Sequence, residues 1–196
     1  MERLLSATLA VIADRGLADV TIPEVAAAAG LSTGSVYRRF ADKETMIRTA
    51  FLQFLEEAHA LNQANLPPER LSGRTLEEAL GALARGLVAQ YRGRTGLLKG
   101  LDRYLEVQTD AAFRARAVGL IEANIRLVIA ALLPFKGRIA AADPERAIAF
   151  ALLSAITVIE AHKLHDSPVW RQVLSLDDDA LATETARAMA AYLAAP

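Results

Sequence analysis

The sequence predicts an all-α protein in two parts, a small N-terminal cluster of three helices followed by a larger helical domain. Three observations predict it. Apolar residues recur at helical spacing along nearly the whole chain, and no stretch sustains the period-two alternation of a half-buried strand. Breakers are few and fall between periodic segments, as at Gly16, Gly30, Pro67-Pro68 and Ser167-Pro168. The stretch Thr21 to Ile47, TIPEVAAAAGLSTGSVYRRFADKETMI, packs two short helical patterns and the start of a third into 27 residues with their caps in place.

The first helix is expected over about residues 2 to 14, stopping at Gly16. Arg3 followed by Leu4 to Ala13 has the outline of a secretion signal, but Asp14-Arg15-Gly16 follows directly. Leu5, Leu9 and Ile12 instead sit at the spacing of an amphipathic helix. Thr21 and Glu24 have the spacing of a capping box, and Pro23 suits the first turn of the second helix. Ile22, Val25 and Ala26 face its core side. Gly30 lies where the chain turns sharply, and a left-handed backbone is cheap only for glycine. Leu31 buries, Ser32 caps the third helix, and Val36 and Phe40, four apart, anchor that helix inward. Asp42 caps a fourth helix running from Lys43 to about Ala64, which Pro67-Pro68 end.

Asn65 to Arg74 reads as a linker. A second block then opens at Thr75, with Glu78 three residues on, and its helix runs to about Tyr91. Further helices are expected over Thr95–Val107, from Asp110 to Pro134, from Pro144 under an Asp143 cap to about Leu164, and from Asp177 to about Ala194. The aspartates 177–179 favour the positive N-terminal end of the last helix. Phe135 to Ala142 is expected to be a loop, and Trp170 to pack a loop against the body. The arginines at 114 and 116 read as a solvated face.

Composition bounds the function. At 196 residues and 53% hydrophobic content, the chain can bury a substantial core. It has no cysteine, which excludes disulfides, thiolate metal sites and a cysteine nucleophile. There is no phosphate loop, and no nucleophile has an adjacent base, so an enzyme is not expected. His162 and His165 are three apart on a helix face but lack a third ligand, so no metal or other cofactor is expected. The longest apolar run, Ala147 to Ile159, falls well short of the ~20 residues of a membrane span and contains Ser154 and Thr157, so no membrane partner is expected. A cytoplasmic protein fits these exclusions.

Net charge is −1, so any attraction for nucleic acid must be local. Between Thr33 and Lys43 the positive charges Arg38, Arg39 and Lys43 face only Asp42. The third helix is short, rich in hydroxyls and basic, and leaves Thr33, Ser35, Tyr37, Arg38 and Arg39 outward or on its flank. That layout is a helix-turn-helix DNA reader, whose second motif helix enters the major groove. Arginine grips guanine through two parallel hydrogen bonds, serine and threonine reach base edges or phosphates, and tyrosine and lysine suit phosphate oxygens. The boundary is expected at residue 47, with 1–47 a DNA-binding domain and 48–196 a helical ligand-binding and dimerisation domain. A helical interaction protein with a degenerate helix-turn-helix is the alternative.

These residues resemble the TetR family of bacterial transcriptional regulators. The resemblance covers about Leu4 to Phe51. It runs through Ala13-Asp14-Arg15-Gly16, Thr21-Ile22, Val25-Ala26, Ala29-Gly30-Leu31-Ser32, Gly34-Ser35-Val36-Tyr37 and Phe40, and closes with Lys43-Glu44. It implies a homodimer that binds a palindromic double-stranded operator, usually as a repressor released by a small molecule. On this sequence it implies that Thr33, Ser35 and Arg38 read bases, that Thr21, Tyr37 and Lys43 hold phosphates, and that Arg39 does either. Many members carry a basic tail ahead of the first helix. Here the chain opens at Met1-Glu2, and no contacts from such an arm are carried over.

In the second domain, Ala147, Ala151, Ala155 and Val158 form a small-residue line, and Ala182, Ala186, Met189-Ala190 and Leu193 form another. They predict a four-helix dimer interface from the helices at 144–164 and 177–194 and their symmetry mates. An effector pocket is expected to be mostly apolar with a few polar groups, which suits a small apolar or amphipathic molecule. Its candidates are Tyr91, Tyr104, Gln108, Asn124, Thr157, Glu160 and His162.

Overall fold

Side-chain caps fix where most helices begin. In the computed structural model, which describes residues 1–66, 71, 73–165 and 167–195 (the side chain of Arg171 excepted), ten α-helices follow one another. They are α1 (Glu2–Arg15), α2 (Ile22–Ala29), α3 (Thr33–Tyr37), α4 (Lys43–Asn65), α5 (Leu76–Tyr91), α6 (Thr95–Val107), α7 (Ala111–Leu132), α8 (Pro144–Lys163), α9 (Pro168–Val173) and α10 (Asp178–Ala194). There is no strand among the described residues. Ser32, Asp42, Asp143 and Asp177 each accept a hydrogen bond from the backbone N–H three residues on, satisfying a donor the helix leaves open. At α5 the capping box is complete, since Glu78 also accepts from the Thr75 N–H.

Several expectations change. Only half of the box at α2 forms, because the Glu24 carboxylate takes the Thr21 hydroxyl proton and an Arg15 guanidinium instead of the Thr21 N–H. Phe135 lies in a 3₁₀ turn, Leu133–Arg138, that prolongs the path of α7 rather than in a loop. Pro168 both breaks the chain and opens α9, where proline's missing N–H costs nothing. Trp170 sits on that short helix with 62% of its surface exposed, so it does not pack a loop against the body. Pro67 and Pro68 lie outside the described residues.

The chain divides into two compact units, Met1–Leu61 with Gly93–Glu122, and Asn62–Arg92 with Ala123–Pro196. In the first, Leu4, Ile12, Val25, Val36, Phe40, Ile47 and Phe51 share one core with Leu97, Leu101, Tyr104 and Phe113. Tyr104 is its aromatic centre, with ring centroids 5.3 Å from Phe51 and 5.4 Å from Phe113. The second unit buries Leu80, Val128, Leu132, Ile148, Leu152, Met189 and Leu193 together, with α5 lying along α10 and α10 along α8.

Ala111–Arg138, whose most apolar 18-residue window has a mean hydropathy of 1.8, is long and apolar enough to cross a membrane, which the shorter run at 147–159 is not. Sequence inspection passes over it because its apolar residues are interspersed with Arg114, Arg116, Glu122 and Arg126. Its inward residues serve protein cores, Phe113 and Ala117 in the first unit and Val128 and Leu132 in the second.

Candidate nucleic-acid interface

The motif is built from its turn outward. Gly30 adopts a left-handed conformation (φ 65°, ψ 37°) after α2. Its N–H bonds to the Ala27 carbonyl at 3.0 Å and the next N–H, of Leu31, reaches back to Ala26 at 2.8 Å. That pair of bonds is a Schellman motif, which satisfies two open carbonyls and reverses the chain for α3. Leu31 is only half-buried, yet it packs on the first core. Val36 and Phe40 are buried as the sequence predicts. Regular helix stops at Tyr37, but helical hydrogen bonds continue through Arg38 to Gly34 and Phe40 to Val36. Phe40 thereby anchors a tight terminal turn rather than the helix itself.

With that side fixed inward, Thr33, Tyr37, Arg38 and Arg39 are exposed, Tyr37 by 60%, while Ser35 is half-buried. The polar groups are not independent. The Arg38 guanidinium donates to the Ser35 hydroxyl at 2.7 Å, and the Ser35 and Ser32 hydroxyls lie 3.0 Å apart. Arg39 donates to the Ser35 carbonyl at 2.8 Å, placing a cation on the negative end of α3. Lys43 Nζ donates to the carbonyl of Val20 at 3.2 Å, which brings it beside Thr21 at the start of α2. Asp42 accepts from the Thr45 N–H, then from the Thr45 side chain, and these bonds hold its carboxyl below the usual range. The cap therefore stays ionised close to the basic turn.

The residues of the motif carry a recognisable pattern. The sequence profile of bacterial regulatory proteins of the tetR family matches residues 4–50. Over those residues the chain carries the pattern of the TetR family. Among curated relatives, the HTH-type transcriptional repressor KstR2 of Rhodococcus jostii is 28% identical over 131 residues, 63% of this chain and 64% of that protein. The regulator BetI of Stenotrophomonas maltophilia is 41% identical over 56 residues, 29% of each chain. The matches therefore span less than two-thirds of these relatives. Two solved structures share the fold across nearly the whole chain. FadR of Bacillus subtilis in complex with stearoyl-CoA has a TM-score of 0.68 at 16% identity, covering 96% of both chains. A TetR-family regulator from Mesorhizobium loti has a TM-score of 0.71 at 18% identity, covering 98% of this chain and 94% of that one.

The expected effector residues fall in both units. Tyr104 and Gln108 belong to the first, where the Tyr104 hydroxyl donates to Glu44 at 2.8 Å. Burial, then the Glu44 carboxylate, pushes the Tyr104 phenol well above its usual range. The other five lie in the second unit. Tyr91 donates to Glu160 at 3.1 Å, His162 bonds the Leu176 carbonyl at 3.0 Å, and Asn124 accepts from Asn62 at 3.1 Å. Thr157 faces solvent. Tyr91 and Glu160 are thus brought into direct contact in the second unit, and Tyr104 and Gln108 share a side-chain hydrogen bond in the first.

The small-residue lines do not form an open face. Ala147, Ala151 and Ala155 of α8, and Ala182, Met189 and Leu193 of α10, are buried inside the second unit, where their size lets α5, α8 and α10 approach closely. The outward stripe of α8 carries Phe150, Leu153 and Val158, exposed by 52, 61 and 51%. Phe150 stacks at 5.1 Å on Tyr192 of α10, itself 44% exposed.

Sequence reasoning missed the ion pairs Arg48–Asp110 and Arg116–Glu56. No local signal marks them, since both join distant segments. The Ser35–Arg38 bond was legible in principle, because residues three apart on a helix are neighbours.

Proposed function

We propose that this protein is a transcriptional regulator, and not an enzyme, that acts in the cytoplasm as a repressor. It binds a palindromic operator as a homodimer and releases it on binding a small apolar or amphipathic effector. Residues 1–47 are the DNA-binding domain and 48–196 the dimerisation and ligand domain. The observation that carries this reading is the basic, hydroxyl-bearing side of α3, held outward by the buried Val36 and Phe40 and flanked by Lys43. Thr33 and Arg38 address bases with Ser35 on the same side of the helix, Thr21, Tyr37 and Lys43 address phosphates, and Arg39 addresses either.

The dimer forms through the outward stripes of α8 and α10, where Phe150, Leu153, Val158 and Tyr192 are exposed and Phe150 stacks on Tyr192. Such a patch on a two-fold partner is self-complementary, and paired half-sites need a paired protein. Effector binding draws on the apolar interior of the second unit and the polar pair Tyr91–Glu160.

The decisive experiment is fluorescence-anisotropy titration of the purified protein against the intergenic DNA beside its own gene and against unrelated DNA, at one near-physiological salt concentration. Tight, selective binding supports the regulator. If neither this DNA nor any sequence selected from a random pool is preferred, the reading fails and the protein is a helical interaction module. Stearoyl-CoA is the first probe for release of the operator. Sedimentation at micromolar concentration tests the dimer, which a monodisperse monomer would refute.

A further inference from the structure

We infer that Ser35 is a positioning residue and not a base reader, and that through it Arg38 selects one guanine in each operator half-site. The inference rests on the DNA-binding reading above.

A serine hydroxyl offers one donor and two acceptor lone pairs. Here Ser35 accepts from Arg38 Nη2 at 2.7 Å and lies 3.0 Å from the Ser32 hydroxyl, which already accepts the Ser35 N–H at 3.2 Å. The three side chains form a chain of hydrogen bonds in which Arg38 donates to Ser35 and the Ser35 and Ser32 hydroxyls share a bond, so that two of the three hydrogen-bonding positions of the Ser35 hydroxyl are taken. Little of the Ser35 hydroxyl is left for a base edge, and the residue is half-buried where Thr33 and Arg38 are exposed. Arginine, by contrast, has donors to spare. Its guanidinium carries five N–H groups in a rigid plane, and one bond to Ser35 leaves enough for the two-pronged grip on guanine O6 and N7.

The bond also acts on entropy. A free arginine side chain loses much rotamer freedom when it docks, and a side chain already held in place loses less. The neighbouring Arg39 is engaged differently. It bonds a backbone carbonyl, the Ser35 oxygen, and so stabilises the end of α3 rather than lying on its reading side. That distinction assigns the guanine to Arg38.

The test begins by selecting a preferred site from random duplex DNA with the wild-type protein. Ser35→Ala, Ser35→Thr, Arg38→Ala and the Ser35→Ala/Arg38→Ala double variant are then titrated against that site and its single-base changes. The selected half-site is expected to contain a guanine whose preference Arg38→Ala abolishes. Ser35→Ala is expected to lower that same preference roughly tenfold while leaving the salt dependence of binding unchanged. Ser35→Thr, which keeps the hydroxyl, retains the preference, and Ser35→Ala adds nothing in the Arg38→Ala background. If Ser35→Ala instead alters preference at a different base, or the two effects simply add, Ser35 reads DNA by itself and the inference is wrong. A wild-type protein that selects no site at all overturns the DNA-binding reading, which is a separate and recognisable result.

Discussion

Gly96 of α6 lies directly against the carbonyl of Ala13 in α1, so close that a β-carbon at residue 96 would overlap the Ala13 oxygen. One turn on, a β-carbon at Gly100 would meet Ile12 Cγ2 at 2.9 Å. The two glycines let α6 and α1 approach at backbone distance, which seats Leu97, Leu101 and Tyr104 in the core that supports the helix-turn-helix.

Gly96→Ala is expected to destabilise the protein by about 1–3 kcal/mol, the usual cost of overpacking a rigid contact, because the obstacle is backbone and cannot rotate away. Gly119 in α7 is the control. A β-carbon there meets nothing within 4 Å among the described residues, so Gly119→Ala should stabilise by roughly 0.5–1 kcal/mol through helix propensity. Urea unfolding of the three proteins checks both signs. An unchanged midpoint for Gly96→Ala would mean that the two helices are free to separate.

Thr185 of α10 is 4% exposed, and its hydroxyl has no hydrogen-bond partner among the described residues. A buried hydroxyl without a partner carries a desolvation cost that an isosteric methyl group does not. Thr185→Val should therefore be neutral or stabilise by up to about 1 kcal/mol, whereas Val for Thr at a bonded site such as Thr8, which donates to the Leu4 carbonyl at 2.8 Å, should destabilise. Thermal unfolding of the two variants side by side decides this.

The helices were legible because caps and breakers are local chemistry. Asp42, Thr75, Asp143 and Asp177 announce their helices within three residues, and the structure keeps each one. The exposed polar side of α3 was legible for the same reason, since five residues of α3 and its terminal turn make it up. What failed was the choice between two apolar faces of one helix. On α8 the alanines at 147, 151 and 155 face inward, against the expected assignment, and of that line only Val158 faces out, beside Phe150 and Leu153. Small residues mark close approach but not the partner approached, and here the partners are α5 and α10 of the same unit. The effector candidates were obscure for a related reason, because Tyr104 owes its surroundings to Glu44, sixty residues away.

Asp178, at the start of α10, is ion-paired with Lys163 of α8 and Arg92 after α5. Hydrogen bonds from Lys163, then Arg92, hold its carboxyl below the usual carboxylate range. A carboxyl depressed in the folded state binds its proton more readily when unfolded. Its contribution to stability is therefore complete above the unfolded pKa, near 4, and lost as pH falls through the lower folded value. Asp178→Asn should cost on the order of 1 kcal/mol at neutral pH, a modest figure because the cluster is partly solvated. Its deficit relative to wild type should shrink as pH falls below about 4, and a deficit constant from pH 7 to pH 3 would remove the charge-based explanation.

Lys43 separates affinity from specificity. Its ammonium group lies beside the start of α2, bonded to the Val20 carbonyl, and lysine meets a phosphate as a point charge without reading bases. Lys43→Ala should weaken binding to every DNA sequence alike, and the log–log salt dependence of the binding constant should flatten by about 1 for each phosphate that is no longer neutralised. Arg38→Ala should cost about 1–3 kcal/mol on the preferred site and relax selection at one base position. Anisotropy titrations across a salt series, run on the preferred and an unrelated duplex, distinguish the two patterns. If Lys43→Ala changed sequence preference and left the salt slope intact, the lysine would be reading a base and its phosphate role would be refuted.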